Sequence, residues 1–172
     1  MLFCDAMKHV KTTYGLPVSA AELLAFGQEQ LTDFYRNVVK PKEGAHALLE
    51  HLKQSGIKLC LATATDMNYA KIGLESCGLA PYFDLTVSCA DLGVGKDRPD
   101  IYLHALRLLE VDAKDACVFE DSYVALETAK SCGIHTVGIY DCYNYGQDRL
   151  QAASEHYVAK GIGLQSLIAS LA

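Results

Sequence analysis

The chain has 172 residues, of which 51% are hydrophobic, and it carries a formal net charge of −6 at pH 7. This length and apolar content suit a globular domain with a sizeable core. The acidic balance argues against nucleic acid as a partner, because phosphate backbones are bound by clustered Lys and Arg and the sequence has no basic run. No apolar stretch is long enough to span a bilayer, and the first residues do not resemble a signal peptide. We therefore expect a cytoplasmic protein with no membrane partner.

Seven cysteines are scattered along the chain, and none forms a Cys-x-x-Cys pair. This spacing is not typical of a zinc site or of a disulfide framework. Several of the cysteines stand within apolar strand or helix patterns, where a thiol packs as a small hydrophobic residue. We interpret them as reduced thiols of a cytosolic protein.

The N-terminal part of the chain predicts helices and no strand. Residues 6–14 form a helical pattern, and a capping box of Ser19 and Glu22 starts a second helix. We expect these helices to form a hairpin apart from the sheet that follows. The sequence therefore predicts a helical part, residues 1–40, and an α/β part, residues 41–172.

Strands and helices alternate in the α/β part. Apolar runs predict strands at residues 57–62, 83–88, 116–119, 134–139 and 156–159. Helical patterns predict helices at residues 44–54, 68–77, 99–109, 123–132 and 164–169. Such alternation favours right-handed βαβ units, and continuously apolar strands are typical of a parallel sheet that helices cover on both faces. The predicted fold is α/β, with a Rossmann-like three-layer parallel sheet.

Polar residues follow three of the predicted strands. Thr63 and Ala64 come after the first strand, and Lys96 lies in a glycine-containing loop after the second. Glu120 and Asp121 come after the third. Because ligands of an open α/β sheet bind beyond the carboxyl ends of the strands, we expect these residues to converge on one crevice.

Thr63, Ala64 and Lys96 suit a phosphate group. A hydroxyl and free backbone N–H groups at the start of a helix bind phosphate, and a lysine neutralises a phosphoryl oxygen or the charge that develops in a transition state. Simpler interpretations stay open for each. The turn after Thr63 can serve only to cap a helix, through Thr65 or Asp66, and Lys96 can be a solvated loop residue.

Glu120 and Asp121 are adjacent carboxylates at the end of an apolar strand. They repel one another, and their desolvation costs stability, so a cation would compensate. Mg²⁺ is bound through one or two carboxylates, waters and a substrate phosphate. The pair therefore predicts a Mg²⁺ site, the alternative being acidic residues that favour a helix N-terminus.

Taken in order, these residues resemble the motifs of the haloacid dehalogenase (HAD) superfamily, most of all its phosphatase and β-phosphoglucomutase branch. Thr63 matches the family's second motif, Lys96 its third, and Glu120 with Asp121 its fourth. The resemblance implies a Mg²⁺-dependent phosphatase or phosphomutase that acts on a small phosphorylated metabolite. It implies that Thr63 and Lys96 are catalytic residues that hold the phosphoryl group, with Ala64 beside them. Asp121 and Glu120 would bind or orient the metal.

The chain departs from the family at its first motif, an apolar strand that ends in Asp-x-Asp-Gly-Thr. There the first Asp attacks the phosphorus and the second is the general acid and base. Asp5 imitates the approach, but Met7 stands where the second Asp belongs, and no Gly-Thr follows. We expect Asp5 to lie in a helix of a partial cap, and the chain to lack the nucleophile and to be inactive alone.

In the family, the first strand is central and lies between the strands that end at Thr63 and Glu120. Without it, two strand edges lose their partner, and unpaired backbone groups are costly when buried. Three outcomes are open: a fragment of a longer enzyme, direct pairing of the two flanking strands, or a strand supplied by another chain. We also expect the unpaired edges to permit self-association.

Two further functions stay open from the sequence. A non-catalytic module derived from the same fold would bind phosphate and metal, or a partner, without turnover. A receiver-like signalling domain also uses acidic residues, a Thr and a Lys. Its acidic pair follows the first strand and its Lys comes last, whereas Lys96 precedes Glu120 in this chain.

Overall fold

The computed structural model describes residues 3–170. Its helices are α1 (Phe3–Tyr14), α2 (Ala20–Asp33), α3 (Ala45–Gln54), α4 (Met67–Ser76), α5 (Cys89–Leu92), α6 (Asp100–Leu109), α7 (Tyr123–Ser131) and α8 (Gln147–Ala153). Its strands are β1 (Cys60–Thr63), β2 (Leu85–Ser88), β3 (Cys117–Glu120), β4 (His135–Ile139) and β5 (His156–Val158). A π-helical turn follows α2 (Phe34–Val38), and 3₁₀ helices occur at Ala80–Tyr82, Ala113–Asp115 and Leu164–Ser170. Within residues 3–170, no helix combines the length and the apolar character needed to cross a membrane.

Parallel strands that alternate with helices confirm the predicted fold class. The last predicted helix is present as a 3₁₀ helix, and two helices, α5 and α8, were not predicted. α8 has seven residues and begins after Gly146, whose φ of 72° lies in the left-handed region. It is too short for a helical period to show, and it is anchored by two buried residues, Leu150 and Ala153.

The N-terminal helices are built as the sequence predicts. Ser19 caps α2: its side chain accepts a hydrogen bond from the N–H of Glu22 at 3.1 Å, and the Glu22 carboxylate accepts one from the N–H of Ser19 at 2.8 Å. Asp5 lies within α1, where its carboxylate pairs with the ammonium group of Lys8 at 3.2 Å. The π-helical turn after α2 packs against α4.

The strands form two parallel ladders. β1 pairs with β2, so that Thr63 lies opposite Ser88, and β3, β4 and β5 pair in that order, so that Glu120 lies opposite Gly138. Within residues 3–170, no hydrogen-bonded ladder joins β1 to β3. Direct pairing of these two strands, one of the three outcomes open from the sequence, is therefore wrong for this part of the chain.

Two clusters of buried residues join the two ladders into one core. The first contains the apolar face of α3 and packs against Leu59, just before β1, and Phe119 of β3. The second contains Ile101 of α6 and packs against Ala62 of β1 and Val118 of β3. β1 and β3 thus share apolar neighbours on both faces, and the covering helices hold the strands in place.

The cysteines whose side chains the structure describes are free thiols: Cys60, Cys77, Cys89, Cys117, Cys132 and Cys142. Cys89 is buried in the second cluster, and Cys60 packs against it. Burial raises the pKa of the Cys60 thiol to about 11, so this thiol is protonated at neutral pH. These two cysteines behave as packing residues.

Ile101 and Leu103 allow the assignment of the core to be tested on one helix. Ile101 is 0% exposed, whereas Leu103 is 46% exposed. Replacing Ile101 with Ala leaves a cavity, and we expect the free energy of unfolding to fall by about 2–5 kcal/mol. The control Leu103→Ala shortens an exposed side chain, and we expect a loss of roughly 0.5 kcal/mol. Urea denaturation followed by circular dichroism measures both, and equal losses would contradict the assigned core.

Candidate functional site

Thr63 ends β1 at a turn that leads into α4. Its Oγ1 accepts a hydrogen bond from the N–H of Thr65 at 3.0 Å. The N-cap of α4 is Asp66, whose carboxylate accepts a hydrogen bond from the N–H of Asn68 at 2.9 Å. Because Asp66 caps the helix, capping does not account for Thr63, whose hydroxyl can still donate to a ligand. Ala64 is exposed beside it.

Ser88 connects the turn after Thr63 to the end of β2. Its side chain is buried, and its Oγ donates to the carbonyl of Thr65 at 3.2 Å and accepts from the N–H of Ala90 at 3.2 Å. Ser88 thereby fixes the path of the turn that carries Thr63. Sequence reasoning missed this residue, although its position at a strand end, like that of Thr63, was a usable signal.

Lys96 reaches the end of β3 from the loop between α5 and α6. Its Nζ forms an ion pair with Oε1 of Glu120, and the Glu120 side chain is only 7% exposed. Burial raises the pKa of the Glu120 carboxyl, and the charge of Asp121 acts in the same direction, whereas Lys96 opposes both. Lys96 therefore favours the charged form of a carboxylate that burial would neutralise, and it is not a solvated loop residue.

Two further groups lie near Glu120: the thiol of Cys89 and the phenol of Tyr102. Burial raises the pKa of both groups, and the charge of Glu120 adds to each shift. Cys89 directly follows Ser88, so the end of β2 lies beside the end of β3. Because Thr63 is opposite Ser88 in its ladder, the ends of all three strands lie at one edge of the core.

Asp121 is half-buried and follows Glu120 directly. Among residues 3–170, no group of three or more His, Cys, Asp or Glu side chains is placed to hold a metal ion. Mg²⁺ needs fewer, because waters and a substrate phosphate complete its coordination around one or two carboxylates. Two adjacent carboxylates fit that requirement, with Asp121 the more available because Glu120 is paired with Lys96.

The predicted residues fall into two groups at this edge. Lys96, Glu120 and Asp121 form one group, and Thr63 with Ala64 forms the other. A cavity of about 200 Å³ lies beside Thr63 and is also lined by Tyr35 and Thr65, but neither Lys96 nor Glu120 lines it. The two groups share an edge of the core, and within residues 3–170 no hydrogen bond or ion pair between their side chains joins them.

Comparisons with a family model and with curated proteins point to the same family. A model described as haloacid dehalogenase-like hydrolase matches residues 8–133, which include all the predicted site residues. A phosphorylated carbohydrates phosphatase from Thermotoga maritima is 35% identical over 127 residues, which are 73% of this chain and 59% of that protein. A β-phosphoglucomutase from Bacillus subtilis is 34% identical over 96 residues, which are 56% of this chain and 42% of that protein. The chain spans about half the length of the curated relatives it matches.

Solved structures agree with this result. A crystal structure from Thermotoga maritima, provisionally assigned as a β-phosphoglucomutase, matches with a TM-score of 0.82 and 28% identity, and covers 97% of this chain and 76% of that one. CbbY from Rhodobacter sphaeroides in complex with phosphate matches with a TM-score of 0.75 and 23% identity, and covers 88% of this chain and 67% of that one. The second match supports the fold alone.

Replacing Lys96 with Met keeps the apolar stem and leaves Glu120 without its cation. At about pH 8 we expect the free energy of unfolding to fall by about 3 kcal/mol, because an unpaired carboxylate stays buried. The pKa of Glu120 is raised in the folded state, so the folded protein holds this proton more tightly than the unfolded chain does. Protonation of Glu120 therefore stabilises the fold at low pH, and this contribution is lost as the pH rises through the raised pKa. The deficit of the variant should therefore shrink towards pH 5, by urea denaturation at each pH.

Arg98→Met is the matched control for Lys96→Met. Arg98 lies in the same loop and pairs with Asp100, but its side chain is 62% exposed. We expect a loss below about 1 kcal/mol, since exposed ion pairs contribute little. A deficit in Lys96→Met that did not change with pH would contradict the role assigned to Glu120.

Proposed function

This chain belongs to the haloacid dehalogenase-like hydrolase family, and we propose that its site binds Mg²⁺ and the phosphoryl group of a small phosphorylated metabolite, for phosphatase or phosphomutase chemistry. The observation that carries the proposal is the partly buried ion pair of Lys96 and Glu120 beside Asp121. Burying two charges has a desolvation cost, and perturbed carboxylates at a ligand-binding edge are typical of functional sites. Relatives named for phosphorylated carbohydrates and for phosphoglucomutase activity support the substrate class.

We assign the phosphoryl group to Thr63, Ala64 and Lys96. The hydroxyl of Thr63 and the backbone N–H of Ala64 would donate to phosphoryl oxygens at the start of α4, where the helix dipole favours an anion. The ammonium group of Lys96 would neutralise the negative charge that builds up during transfer. Glu120 holds that ammonium group in position, and is therefore a positioning residue as well as a second carboxylate near the metal.

Asp121 is the carboxylate we assign to Mg²⁺, with Glu120 orienting the ion. When bound, the ion would draw negative charge from the phosphoryl oxygens. Asp121 directly follows the end of β3, so the rigid end of a strand holds it at the edge that the phosphoryl group would occupy. The proposal therefore divides the work between two strand ends: Thr63 and Ala64 contact phosphate at the end of β1, whereas Lys96 contacts phosphate and Asp121 contacts the metal at the end of β3.

We propose that transfer runs through an aspartyl phosphate. A carboxylate oxygen would attack phosphorus, the bond from phosphorus to the leaving oxygen would break, and water or a second substrate would later take the phosphoryl group. Asp5 does not match this role: it lies within α1, is half exposed and pairs with Lys8, and does not stand at a strand end. We therefore assign the nucleophile to a segment other than residues 3–170, and residues 1–40 to part of a helical cap.

Phosphate affinity tests the assigned contacts. We expect Thr63→Val and Lys96→Gln each to weaken the binding of inorganic phosphate about tenfold in the presence of MgCl₂, since a hydrogen bond to a charged group contributes about 1.5–3 kcal/mol. Isothermal titration calorimetry measures the dissociation constants. The control Arg98→Gln changes an exposed cation of the same loop and should leave the affinity unchanged. Equal affinities in all four proteins would refute the assignment of Thr63 and Lys96.

Turnover tests the assignment of the nucleophile. We expect the purified 172-residue chain to leave p-nitrophenyl phosphate intact in the presence of Mg²⁺, because within residues 3–170 Asp5 lies in a helix and Asp121 is assigned to the metal. Hydrolysis that disappears in Asp5→Asn would show that the nucleophile lies within the chain. Phosphate binding without turnover is also what a non-catalytic module of the same fold would give. Adding a peptide that carries the family's first motif, Asp-x-Asp-Gly-Thr, separates the two functions, because only an incomplete enzyme would then gain hydrolysis.

A further inference from the structure

Tyr35 joins the helical part of the chain, residues 1–40, to the turn that follows β1. It lies in the π-helical turn Phe34–Val38, which ends where the N–H of Val39 donates to the carbonyl of Phe34 at 3.0 Å. Turns of this kind are rare, and they are frequent at functional sites. The contacts assigned above to phosphate and metal come from the α/β part, so a role of Tyr35 at the site is an indirect one.

One face of α4 receives Tyr35. Tyr69, Gly73 and Ser76 are spaced by four and three residues, so they share this face of the helix. The ring of Tyr69 stacks on the ring of Tyr35, with centroids 5.9 Å apart and an angle of 19° between the planes. A Cβ added at Gly73 would lie 3.0 Å from Cδ1 of Tyr35, so the ring passes closely over the glycine. Because Ser76 Oγ also donates to the Tyr35 carbonyl at 2.8 Å, both the ring and the backbone of Tyr35 are held on α4.

The hydroxyl of Tyr35 reaches the turn that carries Thr63. It lies 3.5 Å from Oγ1 of Thr65, which is longer than an ideal hydrogen bond between hydroxyl groups. The N–H of Thr65 donates to Oγ1 of Thr63 at 3.0 Å, and the Thr65 carbonyl accepts from Oγ of Ser88 at 3.2 Å. Tyr35, Thr63 and Thr65 also line the same cavity. Thr65 therefore connects Tyr35 to the hydroxyl that we assign to phosphate.

A role in packing explains the ring of Tyr35 but not its hydroxyl. Phe at this position would stack on Tyr69 and pass over Gly73 equally well, whereas contact with Oγ1 of Thr65 needs a phenol. Because this contact is long, its contribution to the free energy of unfolding is small. The main effect of the hydroxyl is therefore expected in the turn itself and in what the turn binds.

We propose that Tyr35 is a positioning residue for the phosphate site. Through Thr65 it holds the turn that places the hydroxyl of Thr63 and the N–H of Ala64. The helical part of the chain thereby influences phosphate affinity without touching phosphate. The role in phosphate binding rests on the proposed function, whereas the contact between Tyr35 and the turn stands on the structure alone.

Amide exchange of the 172-residue chain without ligand tests the link between Tyr35 and the turn. Tyr35→Phe removes the hydroxyl and keeps the ring, and we expect exchange of the Thr65 amide, measured by nuclear magnetic resonance, to become about threefold faster. The amide of Leu126, in the buried part of α7, should keep its rate. The control Tyr14→Phe removes the hydroxyl of a tyrosine that is 73% exposed, and should change neither rate. Unchanged exchange at Thr65, or an equal increase at Leu126, would overturn the inference.

Affinity for inorganic phosphate tests the consequence for the site. By isothermal titration calorimetry in MgCl₂, we expect Tyr35→Phe to raise the dissociation constant about threefold and Tyr14→Phe to leave it unchanged. Thr65→Val removes the other partner of the contact and should raise the constant by at least the same factor. Adding Tyr35→Phe to Thr65→Val should cause no further loss, because both changes remove one contact. Factors that multiply in the double variant would contradict a role through Thr65.

The two measurements separate this inference from the proposed function. Faster exchange at Thr65 in Tyr35→Phe, in a chain that binds no phosphate, would refute the proposed function and the role of Tyr35 in phosphate binding, but would confirm the link to the turn. Weaker phosphate binding in Thr63→Val, with unchanged affinity in Tyr35→Phe, would leave the proposed function standing and would refute the positioning role of Tyr35.

Discussion

The packing of α3 and α6 across both ladders is the constraint on which the rest of the structure depends. α6 carries Ile101 into a cluster shared by β1, β2 and β3. On the opposite face, the cluster of α3 is shared by β3, β4 and β5 and by Leu59, just before β1. The position of α6 also sets the position of the loop before it, which bears Lys96. The phenol of Tyr102 donates to the carbonyl of Ala125 in α7 at 3.0 Å, which ties α6 to the helix that begins just after Asp121. Core packing thereby brings Lys96 to Glu120.

Much of this arrangement could be predicted from the sequence, since its signals are local. The strands show as short apolar runs, and Thr63 and Glu120 end two of them, so the rule for open α/β sheets places both at one edge. The Lys96–Glu120 contact is different, because it depends on how α5, the loop and α6 pack. Ser88 was missed for a similar reason: its bond to the Thr65 carbonyl joins segments that only the β1–β2 ladder brings together. The separation of the two ladders also depends on how the helices pack in the core, so local sequence signals do not predict it.

Glu120 shows how stability and function are joined at this edge. Its burial raises the pKa of its carboxyl, and the charge of Asp121 adds to the shift, so the neutral form is favoured unless a cation is near. Lys96 is the cation present in the chain, and a divalent ion at Asp121 would act in the same direction. The Glu120 carboxylate is therefore most stable when the positive charges of Lys96 and of a divalent ion both lie near it. The desolvation of these charges costs folding stability, whereas the same charges favour the binding of cations and phosphate.

The two groups of site residues are held in place by the core. Thr63 and Glu120 lie on strands of different ladders, so their separation is set by the helices and not by hydrogen bonds between neighbouring strands. A phosphate bound by both the Thr63 hydroxyl and the Lys96 ammonium group would bridge the two ladders and fix that separation. Any change that fixes the separation in the same way would favour phosphate, and phosphate would favour that change by the same factor, because coupling is reciprocal. Phosphate binding and the ordering of this edge are therefore expected to be one cooperative event.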